Sequence, residues 1–323
     1  MTVRNIGKIS ETVLKRSVLK PIKQYDRNNK SESAGVDCAL FSDKGVALGY
    51  VAYEDEKACE HAIIQACNNL RAGAVIPGFI TLSISMPDRF REIRLKEIMK
   101  QAVETAVSQN VRIISGHTEY VKDLKNPIIS VNAFGDVTEL SSTPKEAVNC
   151  DIVMTKWIAL SGTSVIATQR KKELESRLPA YYVEDAIGLG QFISIAKEAE
   201  ICAGSDSVIA MHDVAGGGIF TALWEICERM GAGCRVELDK LSVRQETIEV
   251  CEFFDINPYR LRGDGSLLII TTKGDELVQD LKNTGINATV IGKTTECIDR
   301  VVLRDDETRY LEPANGDEIH KVL

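Results

Sequence analysis

The sequence has few aromatic residues and no long apolar run. Aromatic residues make up 6 % of the 323 positions, which argues against base stacking on single-stranded nucleic acid as the main activity. No stretch of about 18 consecutive apolar residues occurs, so no membrane-spanning helix is predicted. The basic N-terminus also lacks an apolar core of the length that a signal peptide needs. We therefore expect neither a nucleic-acid partner nor a membrane partner.

Paired cysteine motifs are absent as well. The nine cysteines are scattered and form no C-x-x-C pair, which favours reduced, buried thiols in a cytoplasmic protein. The net charge of −8 repels phosphate backbones, so any phosphate ligand must be bound in a local pocket.

The hydrophobic pattern predicts an α/β (α+β) protein with two domains, residues 1–148 and 149–323. Short polar segments at Arg27–Ser33 and Ser141–Cys150 are typical of a loop and a linker. The predicted strands are Gly35–Leu40, Gly45–Ala52, Ile80–Met86, Val111–Ile114, Pro127–Gly135, Ile152–Thr155, Val208–Met211, Ser266–Thr271 and Ala288–Ile291. The predicted helices are Glu56–Ala72, Ile93–Ser108, Glu184–Cys202, a helix that follows the glycines near 217 and ends near Met230, and Asp275–Thr284.

A glycine loop carries the strongest local signal. The predicted strand Val208–Met211 leads through His212 and Asp213 to Gly216–Gly218, which precede an amphipathic helix. Backbone N–H groups at such a helix start suit an anion, and glycines allow a phosphate to approach closely. Two alternatives stay open: Asp213 only caps the turn, and the glycines only permit tight packing of helix on strand. The loop matches neither a Walker motif nor G-x-G-x-x-G.

Several segments resemble, in order, those of the superfamily of aminoimidazole-ribonucleotide (AIR) synthetases and HypE hydrogenase maturation proteins. The glycine-loop segment resembles the "M-[RH]-D-x-T-x-G-G" motif of HypE proteins, and Ser115–Glu119 resembles a "G-G-H-T-E" loop. The other matching segments are Gly35–Leu40, Asp151–Thr163, Val243–Thr247, Asn257–Leu268 and Asp317–Val322. Together these segments span nearly the whole chain.

The resemblance implies a specific architecture and chemistry. It implies a two-domain AIR-synthase-like fold, with a ferredoxin-like N-terminal half that pairs in a homodimer and builds a shared barrel. It implies ATP near that interface and Mg²⁺ held by carboxylates. Most members phosphorylate an amide or carbonyl oxygen, which makes it a leaving group, and others transfer phosphate to thiamine phosphate or selenide. Metal and backbone donors would neutralise the transferred phosphoryl group.

Residues are carried over from the matching motifs. The resemblance implies catalytic roles for His117, Glu119 and Asp213, and metal binding by Asp37 and Asn69. The implied cofactor-binding residues are Asp37, Asn68, Asn69, Thr118, His212, Gly216, Gly217 and Gly218.

The chain departs from the family motifs at acidic positions. Asn69 replaces a metal-binding Asp, Gly216 stands where relatives often have Glu, and Val46–Tyr53 lacks a strand-end Asp. Hard cations depend on anionic oxygen ligands, so a weak Mg²⁺ site is predicted. Carbamoyl dehydration in the strict sense is not expected, because the last cysteine is Cys297 and the family uses a C-terminal thiol.

Three functions follow as hypotheses. The first is an ATP-dependent enzyme that activates an amide or carbonyl oxygen of an unidentified small or protein-borne substrate. The second is a catalytically weak or inactive dimeric scaffold or regulator, and the third is a small-molecule kinase similar to thiamine-phosphate kinase. Replacing Asn69 with Asp is expected to strengthen Mg²⁺-dependent ATP binding if the site is degenerate.

Overall fold

The computed structural model describes residues 6–25, 35–138, 147–313 and 315–323. The predicted loop Arg27–Ser33 and most of the predicted linker Ser141–Cys150 lie outside these residues. Two compact units account for the described chain: residues 37–138 form one, and residues 6–25, 35–36 and 147–322 form the other. The predicted division at residue 148 stays a prediction.

The N-terminal residues contain two short helices, α1 (Glu11–Leu14) and α2 (Lys20–Tyr25), joined by a π-helical turn. These residues belong to the predicted first domain, 1–148, but they pack with the second half of the chain. The reason is a set of polar contacts: Trp224 Nε1 donates to Glu11 Oε2 at 3.0 Å, and Lys15 Nζ donates to Glu228 Oε1 at 2.6 Å.

The unit of residues 37–138 is a five-stranded sheet covered by two helices. Its elements are β1 (Cys38–Phe41), β2 (Lys44–Val51), α3 (Ala58–Ala72), β3 (Val75–Pro87), α4 (Glu92–Ser108), β4 (Arg112–Val121) and β5 (Ile128–Val137). The strand order is β1-β2-β5-β3-β4. Only the β3–β4 pair is parallel, and β4 lies at the edge.

Helix α3 packs closely on one face of this sheet. A Cβ atom on Gly49 of β2 would lie 1.9 Å from the carbonyl oxygen of Ala62, so only glycine permits this approach. Ile63 of α3 and Ile84 of β3 are fully buried between helix and sheet. The opposite face of the sheet stays exposed, with Leu48 and Tyr50 at 50 % and 48 % exposure.

One correction concerns the family-like segment Ser115–Glu119. It was predicted to be a loop, but it lies inside β4, which is much longer than the predicted strand Val111–Ile114. Parallel pairing with the long strand β3 extends β4, because Ser83 and Ser85 pair with His117 and Glu119.

The second unit is built on a seven-stranded sheet in the order β12-β11-β8-β10-β6-β9-β7. Its strands are β6 (Asp151–Thr155), β7 (Val208–Val214), β8 (Gly233–Glu237), β9 (Ser266–Thr271), β10 (Ala288–Thr295), β11 (Arg300–Arg304) and β12 (Glu307–Tyr310). Its helices are α5 (Leu160–Gln169), α6 (Lys171–Leu174), α7 (Ala180–Gly188), α8 (Ala196–Ala203), α9 (Gly218–Met230), α10 (Gln245–Phe253) and α11 (Gly274–Asn283). All six residues of β9 are buried, so this strand lies at the centre of the core.

The predicted helix Glu184–Cys202 is wrong as a single element. The chain forms α7, a 3₁₀ turn and then α8. A buried lysine stabilises the backbone at this break. Lys156 Nζ donates to the carbonyl oxygens of Phe192 and Ser194 at 2.8 and 2.7 Å. Glu198 Oε1 lies 2.7 Å from the same Nζ and completes its environment.

The mixed α/β fold with two sheets confirms the predicted fold class. Among the described residues, no helix has both the length and the apolar character needed to cross a membrane. Seven of the nine cysteines are buried, and Cys297 alone is exposed. Burial raises the pKa of the Cys59, Cys202 and Cys251 thiols to about 12, so they are protonated at neutral pH.

Candidate functional site

Strand β7 runs into the glycine loop that begins helix α9. Gly217 and Gly218 have φ angles of +83° and +68°, a left-handed conformation that favours glycine. A Cβ atom on Gly218 would lie 2.6 Å from the carbonyl oxygen of Tyr259, and one on Gly217 would lie 2.5 Å from Thr221 Oγ1. These distances support tight packing, the alternative role proposed for these glycines.

The start of helix α9 already binds an anion, the carboxylate of Asp317. Gly217 N–H donates to Asp317 Oδ2 at 2.8 Å. The other oxygen, Oδ1, accepts from Arg262 N–H at 3.3 Å and from Ile319 N–H at 3.0 Å. Sequence reasoning missed Asp317 because 100 positions separate it from Gly217. Its local signals are the family-like segment that begins at this residue and an N-cap position before a short helical turn.

Ionisable side chains cluster where β7 ends. His212 and Asp213 are buried, at 2 % and 1 % exposure. His212 Nε2 lies 3.2 Å from Glu225 Oε2 on α9, and Lys8 Nζ donates to Glu225 Oε1 and Oε2 at 2.8 and 2.9 Å. Burial by itself raises the pKa of Glu225, but the charge of Lys8 and the contact with His212 outweigh it and bring the pKa to about 2. Glu225 is therefore a carboxylate at neutral pH, and it orients the His212 ring.

Lys8 and Glu225 were not among the predicted site residues. Glu225 carries a weak signal, since it interrupts the apolar run of α9 between Trp224 and Ile226. Lys8 carries none, because its partner lies 217 positions away.

A buried ion pair lies beside the glycine loop. Arg262 Nε donates to Asp264 Oδ2 at 2.9 Å, and Ser161 Oγ donates to the same oxygen at 2.5 Å. All three residues are at most 6 % exposed. The backbone joins this network to the loop, because Gly263 N–H donates to the carbonyl oxygen of Ala215 at 3.3 Å. The network fixes the segment that follows α10 against the start of α5.

In the unit of residues 37–138, the structure separates the predicted site residues into two groups. His117 and Glu119 lie on the exposed face of the edge strand β4, with side chains 69 % and 51 % exposed and Nε2 3.7 Å from Oε2. Thr118 faces the other side of the sheet, since it pairs with the buried Ile84. His117 and Glu119 therefore lie on the opposite side of the sheet from helix α3.

Asn68 and Asn69 lie on α3 and are 0 % and 8 % exposed. Asn69 Nδ2 donates to the carbonyl oxygen of Leu48 on β2 at 2.8 Å. Leu48 follows Ala47, which pairs with Cys38 on β1, and Asp37 directly precedes Cys38. Asp37 therefore lies beside the edge strand β1, next to the strand that Asn69 contacts, whereas His117 and Glu119 lie on β4 at the other edge of the sheet.

A cavity of about 380 Å³ opens next to the glycine loop in the second unit. Gly217 and Thr221 line one side, and Arg260, His320 and Lys321 line another. Both cations are paired, Arg260 with Glu312 and Lys321 with Glu318, at 2.8 and 2.7 Å. The cavity is therefore lined by both polar and apolar residues, the apolar ones being Ile6, Phe220 and Pro313, and each of the two cations is paired with a glutamate.

The two-sheet α/β architecture, with a glycine loop beside buried ionisable side chains, is the AIR-synthase-like fold. The chain belongs to the AIR synthase related protein family. The N-terminal domain of this family matches residues 35–137, and its C-terminal domain matches residues 149–303. The superfamily resemblance stated from the sequence motifs is confirmed.

Relatives cover the chain from end to end. A putative hydrogenase expression/formation protein of Methanocaldococcus jannaschii is 24 % identical over 342 aligned positions, which cover 98 % of this chain and 97 % of the relative. HypE in a solved HypE–HypF complex has a TM-score of 0.77 at 18 % identity, over 92 % of this chain and 100 % of that one. ThiL of Aquifex aeolicus, solved with AMPPCP and TMP, has a TM-score of 0.70 at 16 % identity, over 96 % and 99 %. These structural likenesses show the shared fold.

Proposed function

We propose that this protein is an ATP-dependent enzyme that phosphorylates an amide or carbonyl oxygen of a small or protein-borne substrate. The observation that carries the proposal is the group formed by the buried His212 and Asp213 at the end of β7 and the partly buried Glu225 of α9. Ionisable side chains held together away from water, beside a glycine loop, are typical of active sites. A HypE structure in complex with ATP and the ThiL structure with AMPPCP support the choice of nucleotide.

Residues of the second unit would carry out the proton transfer that the reaction needs. Glu225 holds the His212 ring by a contact of 3.2 Å, so the imidazole presents its remaining nitrogen in a fixed direction. A histidine oriented by a carboxylate is suited to general acid–base catalysis. Asp213, which lies next to His212 on β7, is the second candidate to take or hold a proton.

Mg²⁺ would be held in the other unit by Asp37 and Asn69. Asn69 Oδ1 is buried and has no hydrogen-bond partner among the described residues, as suits an oxygen ligand for a cation. A bound Mg²⁺ would supply positive charge that offsets the charge of phosphate oxygens. The amide adds no charge of its own, and therefore we propose a weak site. Asn68 and Thr118 stay candidates for contacts with the nucleotide.

We also propose a homodimer through the exposed face of the five-stranded sheet. Leu48, Tyr50 and Phe79 leave an apolar surface there, and β4 is an unpaired edge among the described strands. Light scattering at micromolar concentration should give the mass of two chains. Tyr50→Lys should shift it toward one chain, whereas Tyr310→Lys on β12 should not. A monomeric wild type would refute the proposal.

Two alternatives have an observation in their favour. The bond from Asn69 Nδ2 to Leu48 is a contact that a structural asparagine makes, and this favours an inactive scaffold or regulator. The likeness to ThiL favours a kinase whose substrate is a small phosphate ester such as thiamine monophosphate.

Measurement of ADP release separates these functions. The protein is incubated with Mg-ATP and with either a carboxamide-bearing peptide or thiamine monophosphate. The proposal predicts release that depends on the carboxamide and is lost in Asp213→Asn and His212→Gln, but kept in Asp306→Asn, a control at an exposed carboxylate. Release only with thiamine monophosphate supports the kinase. ATP binding without release in any mixture supports the scaffold.

A further inference from the structure

Two buried thiols meet between the end of helix α9 and the start of strand β8. Cys227 on α9 and Cys234 on β8 are both 0 % exposed. The chain turns sharply between them, because Ala232 N–H donates to the carbonyl oxygen of Cys227 at 3.1 Å. The two thiols are hydrogen-bonded to each other. The turn thus brings two cysteines together as a pair, and neither belongs to the group around His212.

A buried guanidinium, that of Arg300, lies beside this pair. Arg300 on β11 is directly opposite Cys234 in the parallel pairing of β11 with β8, so the two side chains lie on the same face of the sheet. Arg300 Nη2 donates to Glu228 Oε2 at 2.8 Å, and its guanidinium carbon lies 4.2 Å from the centre of the Trp224 ring. Trp224 and Glu228 lie on the side of α9 that also presents Cys227. The guanidinium therefore faces both thiols.

One donor of this guanidinium is unused. Arg300 is 8 % exposed, and its Nε has no hydrogen-bond partner among the described residues. A buried N–H without an acceptor is costly, whereas the same N–H would form a strong, charge-assisted hydrogen bond to an anionic sulfur. The unused donor therefore indicates that this place accommodates a thiolate.

The two thiols differ in how readily they ionise. The hydrogen bond from the Cys227 thiol lowers the pKa of Cys234, and the charge of Arg300 acts in the same direction, although burial opposes both. The same hydrogen bond, together with burial, raises the pKa of Cys227. Cys234 is therefore the nucleophilic sulfur of the pair, and Cys227 is placed to react with it.

We propose that Cys227 and Cys234 form a redox-active dithiol that a peroxide converts to a disulfide. In the first step the Cys234 thiolate attacks one oxygen of hydrogen peroxide, the O–O bond breaks, and the other oxygen leaves as hydroxide and takes up a proton to become water. In the second step the Cys227 sulfur attacks the resulting sulfenic acid at Cys234 Sγ, and the hydroxyl group leaves as water with the Cys227 proton. The two thiols lose two electrons in total, and the peroxide is reduced to two waters.

The disulfide would close a short loop across the turn that ends α9. Helix α9 also carries Glu225, which orients His212, so the link would hold the helix of the buried group on β8. Such a link makes unfolding harder, because it restricts the unfolded chain. The proposal does not depend on ATP turnover, so it stands or falls separately from the proposed enzymatic activity.

Peptide mapping after peroxide treatment tests the proposal in the wild type. The folded protein is treated with hydrogen peroxide, unfolded in N-ethylmaleimide and digested without reductant. A linked Cys227–Cys234 peptide, about 2 Da lighter than the two thiol forms together, should appear at least tenfold faster than Cys59 or Cys251 is oxidised. These two controls are also buried, at 0 % and 2 % exposure. Oxidation of the pair no faster than of these controls overturns the proposal.

Variants test the role of each residue. Arg300→Met should slow disulfide formation at least tenfold, because the thiolate loses its donor, whereas Arg309→Met, an exposed control on β12, should match the wild type. Cys227→Ser should leave a sulfenic acid on Cys234 that dimedone labels, and Cys234→Ser should leave Cys227 unlabelled. A wild-type rate in a folded Arg300→Met, or the label on Cys227 instead, contradicts the assigned roles. The wild-type mapping decides the proposal even where a variant fails to fold.

Discussion

Lys8 and Glu225 are 217 positions apart in the sequence, yet Lys8 Nζ lies 2.8 Å from Glu225 Oε1. Glu225 in turn contacts His212 on β7. The pair thus fastens the N-terminal residues to helix α9 and orients a buried histidine. Its energetic consequence appears in the pH dependence of stability.

The pKa of Glu225 lies at about 2 in the folded chain, below its ordinary value of 4.5. A depressed carboxyl pKa stabilises the fold above the ordinary pKa, and this stability is lost as pH falls toward the folded value. Between pH 4.5 and about 2, the wild type should therefore lose about 1–3 kcal/mol of unfolding free energy, with allowance for the partial exposure of Lys8.

Denaturant unfolding at several pH values measures this loss. Glu225→Gln should be less stable at neutral pH and should lack this acid-dependent portion. Lys8→Met should lose less stability than the wild type between pH 4.5 and about 2, because without the charge of Lys8 the folded pKa of Glu225 moves up toward its ordinary value. Glu252→Gln, an exposed glutamate of α10, is the control. If the unfolding free energies of Glu225→Gln and Glu252→Gln have the same pH dependence, the ion pair of Lys8 and Glu225 contributes nothing to stability.

The Asn69 amide leads to a prediction that differs from the one made on sequence alone. Aspartate at this position would place a carboxylate oxygen where Nδ2 now donates to the Leu48 carbonyl. Two acceptors would then face each other in a buried place, at a cost of about 1–3 kcal/mol. Asn69→Asp should therefore lower the melting midpoint in the absence of metal.

Mg²⁺ should restore part of that loss, because a bound cation offsets the added charge. A melting series with increasing Mg²⁺ measures both effects. Asn110→Asp, at an exposed position with φ of +56°, should show neither. An Asn69→Asp variant as stable as the wild type without metal would mean that the Leu48 bond does not determine the identity of this residue.

The two ends of helix α9 provide a matched test of the glycine loop. Gly217 and Gly231 both have positive φ, at +83° and +64°. A Cβ atom would meet Thr221 Oγ1 at 2.5 Å in the first case and nothing within 4 Å in the second. Gly231→Ala should lower the free energy of unfolding by about 1 kcal/mol, because alanine is strained at a positive φ. Gly217→Ala should lower it by clearly more, up to about 3 kcal/mol, because the added Cβ also meets Thr221.

Chemical denaturation of both variants makes the comparison. Equal costs would show that Thr221 rotates away freely and that only the backbone angle selects glycine.

Strands with a simple pattern were predictable from the sequence. The predicted strand Ser266–Thr271 is β9 in the structure, because a fully buried strand is a continuous apolar run. The segment Ser115–Glu119 was misassigned because its polar residues resemble a loop, whereas pairing with β3 makes it a strand. The break between α7 and α8 could not be seen either, since it involves Lys156 from another part of the chain.

The site was predictable where it follows a local motif and not where it depends on tertiary contacts. His212, Asp213 and the glycines follow one another along β7 and α9, and the motif brings them together. Lys8, Glu225 and Asp317 join them only through folding, across 217 and 100 positions. All roles carried over from the family motifs stay predictions, those of His212, Asp213 and the glycines included.

The central claim is that the protein binds ATP and that its Mg²⁺ site is weak. Calorimetric titration with Mg-ATP tests this claim most directly. The wild type should bind with a Kd of roughly 10–1000 µM. Asp37→Asn should weaken Mg-ATP binding at least tenfold and leave Mg-free ATP binding unchanged, because Asp37 is the one charged residue of the two proposed metal ligands. Asp43→Asn, an exposed control in the same unit, should behave as the wild type. No binding of Mg-ATP at millimolar concentration, or equal affinity in wild type and Asp37→Asn, would contradict the account.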